Sequence, residues 1–91
     1  MRINQPSVCG SLESSDILIR LSPTENGIEV RLHSIVQTQF GDAIEAVIRQ
    51  VLTEANVENA CVDAMDRGAL DCTIRARMEV AVARAFGEVM L

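Results

Sequence analysis

Apolar and polar residues alternate along the first third of the chain, which is the pattern of half-buried β-strands. Residues 6–12 can form a first short strand, in which Gly10 indicates a bulge or a close approach of two backbones. Residues 17–21 and 28–33 alternate cleanly, and an Asn-Gly pair at 26–27 lies between them. Because Asn-Gly favours tight turns, these two strands are predicted to form an antiparallel hairpin with one solvent-exposed face.

The middle of the chain changes from alternation to helical spacing. Ser34 and Gln37 have the spacing of a capping box, which predicts a helix that begins at Ile35. Asn56 is suited to a C-terminal cap, so the helix is predicted over 35–56. The face predicted to pack on the sheet contains Val36, Phe40, Ala43, Ile44, Val47, Ile48, Val51, Leu52 and Ala55.

A fourth strand is predicted at 60–64, followed by a second helix over 68–86. Asp66 or Gly68 can cap the start of this helix, and Gly87 ends it. Its predicted buried face contains Leu70, Ile74, Met78, Ala81, Val82, Ala85 and Phe86.

The order βββαβα predicts an α+β fold of two layers. A four-stranded, mostly antiparallel sheet carries both helices on one face. The chain has 91 residues, 48% of them hydrophobic, which is enough for the core of a single domain over residues 1–91.

Composition excludes several classes of partner. The net charge is −5, the basic residues are all arginine, and Phe40 and Phe86 are the only aromatic residues. An acidic chain with few stacking side chains is unsuited to nucleic acid or to anionic membranes. No run of about 18 apolar residues exists to span a membrane, and no apolar signal segment follows Arg2. A cytoplasmic location is therefore predicted.

The cysteines and the single histidine suggest no site of their own. Cys9, Cys61 and Cys72 lack zinc-binding spacing, both with one another and with His33. Reduced thiols and no bound metal are therefore predicted. His33 shares a strand face with two charged residues, so it is predicted to lie on a solvated surface.

Charged helix positions allow two interpretations. Asp42, Glu45 and Glu54 are predicted to form a solvated face, although an acidic face also suits a basic partner. Arg75 and Arg77 could bind phosphate or a partner, or could be ordinary exposed helix residues.

The segment Glu13-Ser14-Ser15-Asp16 places two hydroxyls between two carboxylates, where one strand gives way to the next. Serine and aspartate favour turns, so at least one of the serines is predicted to be exposed at the tip of a connection. No histidine or lysine is close in sequence to activate a serine nucleophile. An exposed serine can nevertheless be modified by a partner enzyme.

Several blocks of the sequence together resemble one family. These are residues 3–6, 10–16, 39–44, 67–72 and 75–77. Residues 10–16 resemble the prosthetic-group attachment motif of the citrate lyase acyl carrier protein, the gamma subunit. The resemblance implies that Ser14 carries 2'-(5''-phosphoribosyl)-3'-dephospho-coenzyme A through a phosphodiester. Strand parity does not decide between Ser14 and Ser15, because the turn must reset it, so the choice rests mainly on the motif.

The resemblance also implies a function. The chain would be a single acyl-carrier domain without catalytic residues, whose prosthetic group holds acetyl and citryl thioesters while citrate is cleaved to acetate and oxaloacetate. Its partners would be the alpha subunit (citrate-acetyl transferase), the beta subunit (citryl lyase) and a prosthetic-group transferase. A malonate decarboxylase-type carrier and a small protein-binding module without a prosthetic group are the alternatives.

Overall fold

Four strands and two helices follow one another in the predicted order βββαβα. The computed structural model describes residues 3–35 and 37–87, apart from the side chains of residues 37 and 38. The elements are β1 (Ser7–Gly10), β2 (Ile17–Ser22), β3 (Ile28–Ser34), α1 (Gln37–Glu54), β4 (Ala60–Asp66) and α2 (Asp71–Ala85). The predicted α+β fold is confirmed.

The sheet has the strand order β1-β2-β4-β3. β2 pairs with β1 and with β4 in antiparallel orientation, whereas β3 pairs with β4 in parallel orientation. The predicted hairpin between residues 17–21 and 28–33 is therefore wrong, because β4 lies between these two strands. Two of the three pairings are antiparallel, so the sheet is mixed but mostly antiparallel as predicted.

β4 lies between β2 and β3, and its inward residues are small. Ala60, Val62 and Ala64 are completely buried. The Asn-Gly segment joins the start of this strand instead of closing a hairpin. The Gly27 carbonyl accepts a hydrogen bond of 3.0 Å from the Ala60 N–H, and the Gly27 N–H donates to Asn59 Oδ1 at 2.9 Å.

The two helices begin later than their capping residues predicted. α1 begins at Gln37, while Ser34 ends β3 and its hydroxyl donates to Asp66 Oδ2 at 2.8 Å. Val36 and the capping contact of the Gln37 side chain lie outside the described residues. α2 begins at Asp71, and its N-cap is Leu70, which makes no side-chain cap.

Asp66 and Gly68 do not cap α2 as predicted. The Asp66 carboxylate is buried and accepts hydrogen bonds from the N–H groups of Gly68 and Ala69 at 3.1 and 3.0 Å. It therefore shapes the connection between β4 and α2. The ends of both helices agree with prediction, because Asn56 and Gly87 have left-handed φ values of 59° and 81°.

Both helices cover the same face of the sheet, but each starts beyond the core. The first fully buried described residue of α1 is Ile44, and that of α2 is Ile74. Phe40 and Leu70, predicted to be in the core, are 53% and 70% exposed, and Ala43 is exposed as well. Apolar spacing locates a helix face but does not show where along its length a second layer covers it.

Phe40→Ala should reduce the free energy of unfolding by no more than about 1 kcal/mol, because half of the ring is already in water. Ile48→Ala in the same helix should cost roughly 2–5 kcal/mol, since Ile48 is completely buried. Urea unfolding of the two variants measures both values. Equal losses would contradict the assignment of Phe40 to the surface.

Neither helix in the described part of the chain is both long and apolar enough to cross a membrane.

Candidate functional site

The loop that carries the two serines begins at a close contact between β1 and β2. Gly10 has a φ of +99°, and a Cβ atom at this position would lie 1.8 Å from the Ile17 carbonyl oxygen. No other residue type fits without moving the backbone. The predicted close approach at Gly10 is therefore confirmed.

The serines are the central residues of a β-turn. The Asp16 N–H donates to the Glu13 carbonyl at 3.2 Å. Ser15 has a φ of 66°, whereas φ of Ser14 is not positive. A positive φ only at the third position defines a type II turn, where glycine is preferred. Ser15 therefore occupies a strained position, and Ser14 lies at the outer corner.

A β-bulge attaches this turn to the end of β4. The Ser15 N–H donates to the Arg67 carbonyl at 2.8 Å, and the Arg67 N–H donates to the Asp16 carbonyl at 2.9 Å. Two residues of one strand thus oppose one residue of the other, with the left-handed residue first, which is a G1 bulge. The extra residue resets the alternation of side chains, so parity counted from either strand could not identify the outward serine.

Both serine side chains are exposed. Within the described residues, the hydroxyl of Ser14 makes no hydrogen bond, and neither does that of Ser15. The main-chain N–H of Ser15 is held by Arg67. Both hydroxyls are therefore available without breaking a contact, and the two serines differ in that the main chain of Ser15 is held while Ser14 lies at the outer corner of the turn.

Asp16 fixes the base of the turn. Its carboxylate accepts from Arg77 Nε and Nη2 at 3.0 and 3.2 Å, from the Ser11 hydroxyl at 2.7 Å and from the Ile17 N–H at 2.7 Å. The side chain is 13% exposed. Hydrogen bonds from Arg77 and then Ser11 lower the pKa of Asp16 from 3.8 to about 2, and those bonds outweigh its partial burial. Asp16 is thus an ionised anchor.

Stability should depend on the ionisation of Asp16. The pKa of Asp16 is lower in the folded than in the unfolded state, so its ionised carboxylate stabilises the fold. This stabilisation is complete at pH 6 and is lost as the pH falls towards 2. The contribution should fall from no more than roughly 2 kcal/mol at pH 6 to below about 1 kcal/mol at pH 2.5. Urea unfolding of the wild type and Asp16→Asn at both pH values tests this. Parallel losses in the two proteins would contradict it.

The paired arginines of α2 have different roles from those predicted. Arg75 Nη1 lies 2.7 Å from Glu54 Oε1 and 3.8 Å from Glu79 Oε1, so it links α2 to α1. Arg77 holds Asp16. Both guanidinium groups are engaged inside the molecule, which makes neither an open phosphate site.

The remaining predicted residues lie away from the turn or on other surfaces. His33 is exposed on the open face of the sheet, as predicted. Cys9 is buried, Cys72 is exposed, and burial raises the pKa of the half-buried Cys61 thiol. Of the predicted acidic helix face, Asp42 is exposed, Glu45 pairs with Arg49 and Glu54 pairs with Arg75.

An apolar patch lies at the same end of the molecule as the serine turn. Asp66 is the register partner of both Ile17 and Ser34, so the turn, the end of β3 and the starts of both helices share this end. The apolar patch consists of Ile35, Phe40 and Leu70, each more than half exposed. A cleft of about 380 Å³ beside it is lined by Phe40, Ala43, Ile44, Gly68, Ala69, Leu70 and Asp71.

Comparison with known proteins identifies the family. Residues 4–85 match the family described as malonate decarboxylase delta subunit (MdcD). The chain is 49% identical over 88 residues to the citrate lyase acyl carrier protein of Latilactobacillus sakei subsp. sakei (strain 23K), covering 97% of this chain and 87% of that protein. It is 52% identical over 85 residues to that of Lacticaseibacillus casei (strain BL23), covering 93% and 84%. The chain belongs to the citrate lyase acyl carrier protein family.

Solved structures share the fold of this acyl carrier family member. One is a chain in the crystal structure of a Pseudomonas malonate decarboxylase hetero-tetramer in complex with malonate, with a TM-score of 0.73, 16% identity, and coverage of 93% of this chain and 92% of that chain. Another is a protein from Thermus thermophilus, with a TM-score of 0.67 and 12% identity over 91% of this chain but 16% of that chain. At these identities the likeness concerns the fold alone.

Family membership supports an acyl carrier role, in place of catalysis by the chain's own residues. The serine turn, found from the sequence, is exposed as predicted. Sequence reasoning missed that Asp16 pairs with Arg77 and that Arg67 holds the turn. Both arginines belong to blocks that carried the family resemblance, but nothing in the sequence indicated their partners.

Proposed function

We propose that this chain is the acyl carrier subunit of citrate lyase and that Ser14 is its attachment residue. The observation that carries the proposal is the position of Ser14 at the outer corner of a fixed type II turn, with a hydroxyl that makes no hydrogen bond within the described residues. The attached group would be 2'-(5''-phosphoribosyl)-3'-dephospho-coenzyme A.

The attachment chemistry fits an exposed serine without an internal base. The Ser14 oxygen forms a new bond to phosphorus of a phosphoanhydride donor, and the anhydride P–O bond breaks with its electron pair leaving on the departing group. The hydroxyl proton must pass to a base. His33 is the only histidine and there is no lysine, so a prosthetic-group transferase would supply that base.

The residues around Ser14 fit a tethered group that remains accessible. The group, when bound, supplies a thiol that carries acyl groups as thioesters. The charge of the Asp16 carboxylate is already balanced by Arg77, and the main chain of Ser15 is held by Arg67, so neither has to move for Ser14 to be modified. The chain's own contribution is to hold one hydroxyl outward on a rigid base.

The proposed partners are the alpha and beta subunits of citrate lyase and the transferase. Each must approach the end of the molecule that holds Ser14, and the apolar patch of Ile35, Phe40 and Leu70 shares that end. Exposed apolar side chains grouped in this way are typical of protein contact surfaces. We propose the patch as part of their contact surface.

Intact mass spectrometry tests the proposal. Protein purified from its native host should be heavier than its sequence by the mass of the prosthetic group, and protein from a host without the transferase should not. A native protein at the mass of its bare sequence would support the small binding module instead.

A malonate decarboxylase-type carrier is the second candidate, because the matching family is described by that name. The loaded protein should restore citrate cleavage to a preparation of alpha and beta subunits of citrate lyase. Restoration of malonate decarboxylation by the corresponding subunits, without citrate cleavage, would favour the second candidate.

A further inference from the structure

Arg67 reaches the serine turn through its main chain. Its N–H donates to the Asp16 carbonyl at 2.9 Å, and its carbonyl accepts from the Ser15 N–H at 2.8 Å. Residues that exchange both bonds across antiparallel strands have Cα atoms about 5.5 Å apart, and neighbouring Cα atoms are about 3.8 Å apart. With Ser15 bonded to Arg67 across the bulge, the Cα atoms of Ser14 and Arg67 are therefore roughly 9–10 Å apart.

Arg67 is an exposed residue, and its guanidinium has no ion pair within the described residues. The two carboxylates nearest to Arg67 in the sequence and in the turn already have other hydrogen-bond partners. Asp16 is held by Arg77, and the buried Asp66 accepts from Ser34 and from two main-chain N–H groups. Glu13 is exposed and makes no ion pair in the described part of the chain.

Most other arginines are not available to an anion at this end. Arg20 is the other described arginine whose side chain makes no hydrogen bond or ion pair, and it lies four residues along β2 from Asp16, about 13 Å away. The engaged arginines are Arg31, Arg49, Arg75, Arg77 and Arg84.

We infer that Arg67 binds the phosphodiester that joins the prosthetic group to Ser14, an inference that rests on the proposed function. A phosphodiester carries one negative charge and two free oxygens, which a guanidinium can contact with two parallel N–H bonds. An arginine side chain and a phosphate on the Ser14 oxygen can together bridge the separation between the two residues. Arg67 thereby holds the base of the group against the turn and leaves its far end free to move.

The nitrogen-15 NMR signals of the arginine Nε–H groups test the inference. On loading, the Arg67 signal should shift, and the Arg20 signal should stay in place. In 1 M salt the Arg67 shift should shrink, because charges on exposed groups are then screened over about 3 Å. An Arg67 signal that is the same in the apo and loaded proteins would overturn the inference.

A substitution gives an independent readout. Arg67→Gln keeps the bonds to Ser15 and Asp16, since both are main-chain bonds. The phosphorus-31 signal of the phosphodiester on Ser14 should move in the loaded variant relative to the loaded wild type. In loaded Arg20→Gln the same signal should not move. Identical phosphorus signals in all three proteins would also overturn the inference.

Two further measurements distinguish a failure of this inference from a failure of the proposed function. A shifted Arg67 signal that returns to its apo position in loaded Glu13→Gln would assign the contact to Glu13 and overturn a phosphate contact. A missing mass adduct on Ser14 would reject the proposed function itself, whereas an adduct on Ser14 with no change at Arg67 would reject this inference alone.

Discussion

A Ser14→Ala protein is expected to fold with unchanged stability and to stay at the mass of its bare polypeptide in a host that loads the wild type. The Ser14 hydroxyl makes no hydrogen bond in the described part of the chain, so its removal costs no contact there. The citrate lyase complex reconstituted with this variant should be inactive. Intact mass, urea unfolding and an assay of citrate cleavage measure the three effects.

Ser15→Ala is the matched control. It removes the neighbouring hydroxyl but keeps the main-chain bond to Arg67 and the left-handed φ of 66°. This variant should still be loaded, more slowly if the Ser15 hydroxyl helps to shape the turn. Peptide mapping that finds the adduct on Ser15, or an adduct on Ser14→Ala, would reverse the assignment.

Gly10→Ala is expected to destabilise the fold by more than about 3 kcal/mol. Two costs add at this position: a φ of +99°, and a Cβ atom placed 1.8 Å from the Ile17 carbonyl oxygen. That oxygen belongs to the backbone, so it cannot move aside as a flexible side chain would. The midpoint of urea unfolding measures the loss.

Gly27→Ala separates the two costs. Gly27 also has a positive φ, +82°, but a Cβ atom there meets nothing within 4 Å. It should lose only about 1–2 kcal/mol, the cost of the left-handed backbone alone. Equal losses at Gly10 and Gly27 would show that the contact with Ile17 relaxes freely. If Gly10→Ala fails to fold while Gly27→Ala folds, the larger cost is supported.

Local patterns predicted where the helices and strands lie in the chain better than they predicted which strands pair with one another. Alternation located all four strands, because the period of two depends only on which face of a strand is buried. It did not show that β4 would be inserted between β2 and β3, since a period of two indicates the buried face of a strand but not the strands beside it. The Asn-Gly pair indicated a turn correctly and a hairpin wrongly.

The sequence predicted the position of the candidate site but not the contacts that hold it in place. Composition and motif located the serine turn, yet they did not indicate that Ser15 would take a left-handed conformation in a bulge. The ion pair of Asp16 with Arg77 joins residues 61 positions apart, and only the folded chain brings them together. Phe40 was wrongly assigned to the core because helical spacing continues beyond the end of the core.

The bonds between the serine turn and Arg67 also set an order of events during protein synthesis. Ser14 leaves the ribosome more than fifty residues before Arg67, and Arg77 follows later still. A growing chain therefore presents Ser14, the proposed attachment residue, in a flexible segment until β4 and α2 are in place. A transferase that recognises the shape of the turn would act only on chains translated through α2, and a truncated chain or an excised peptide would remain unloaded.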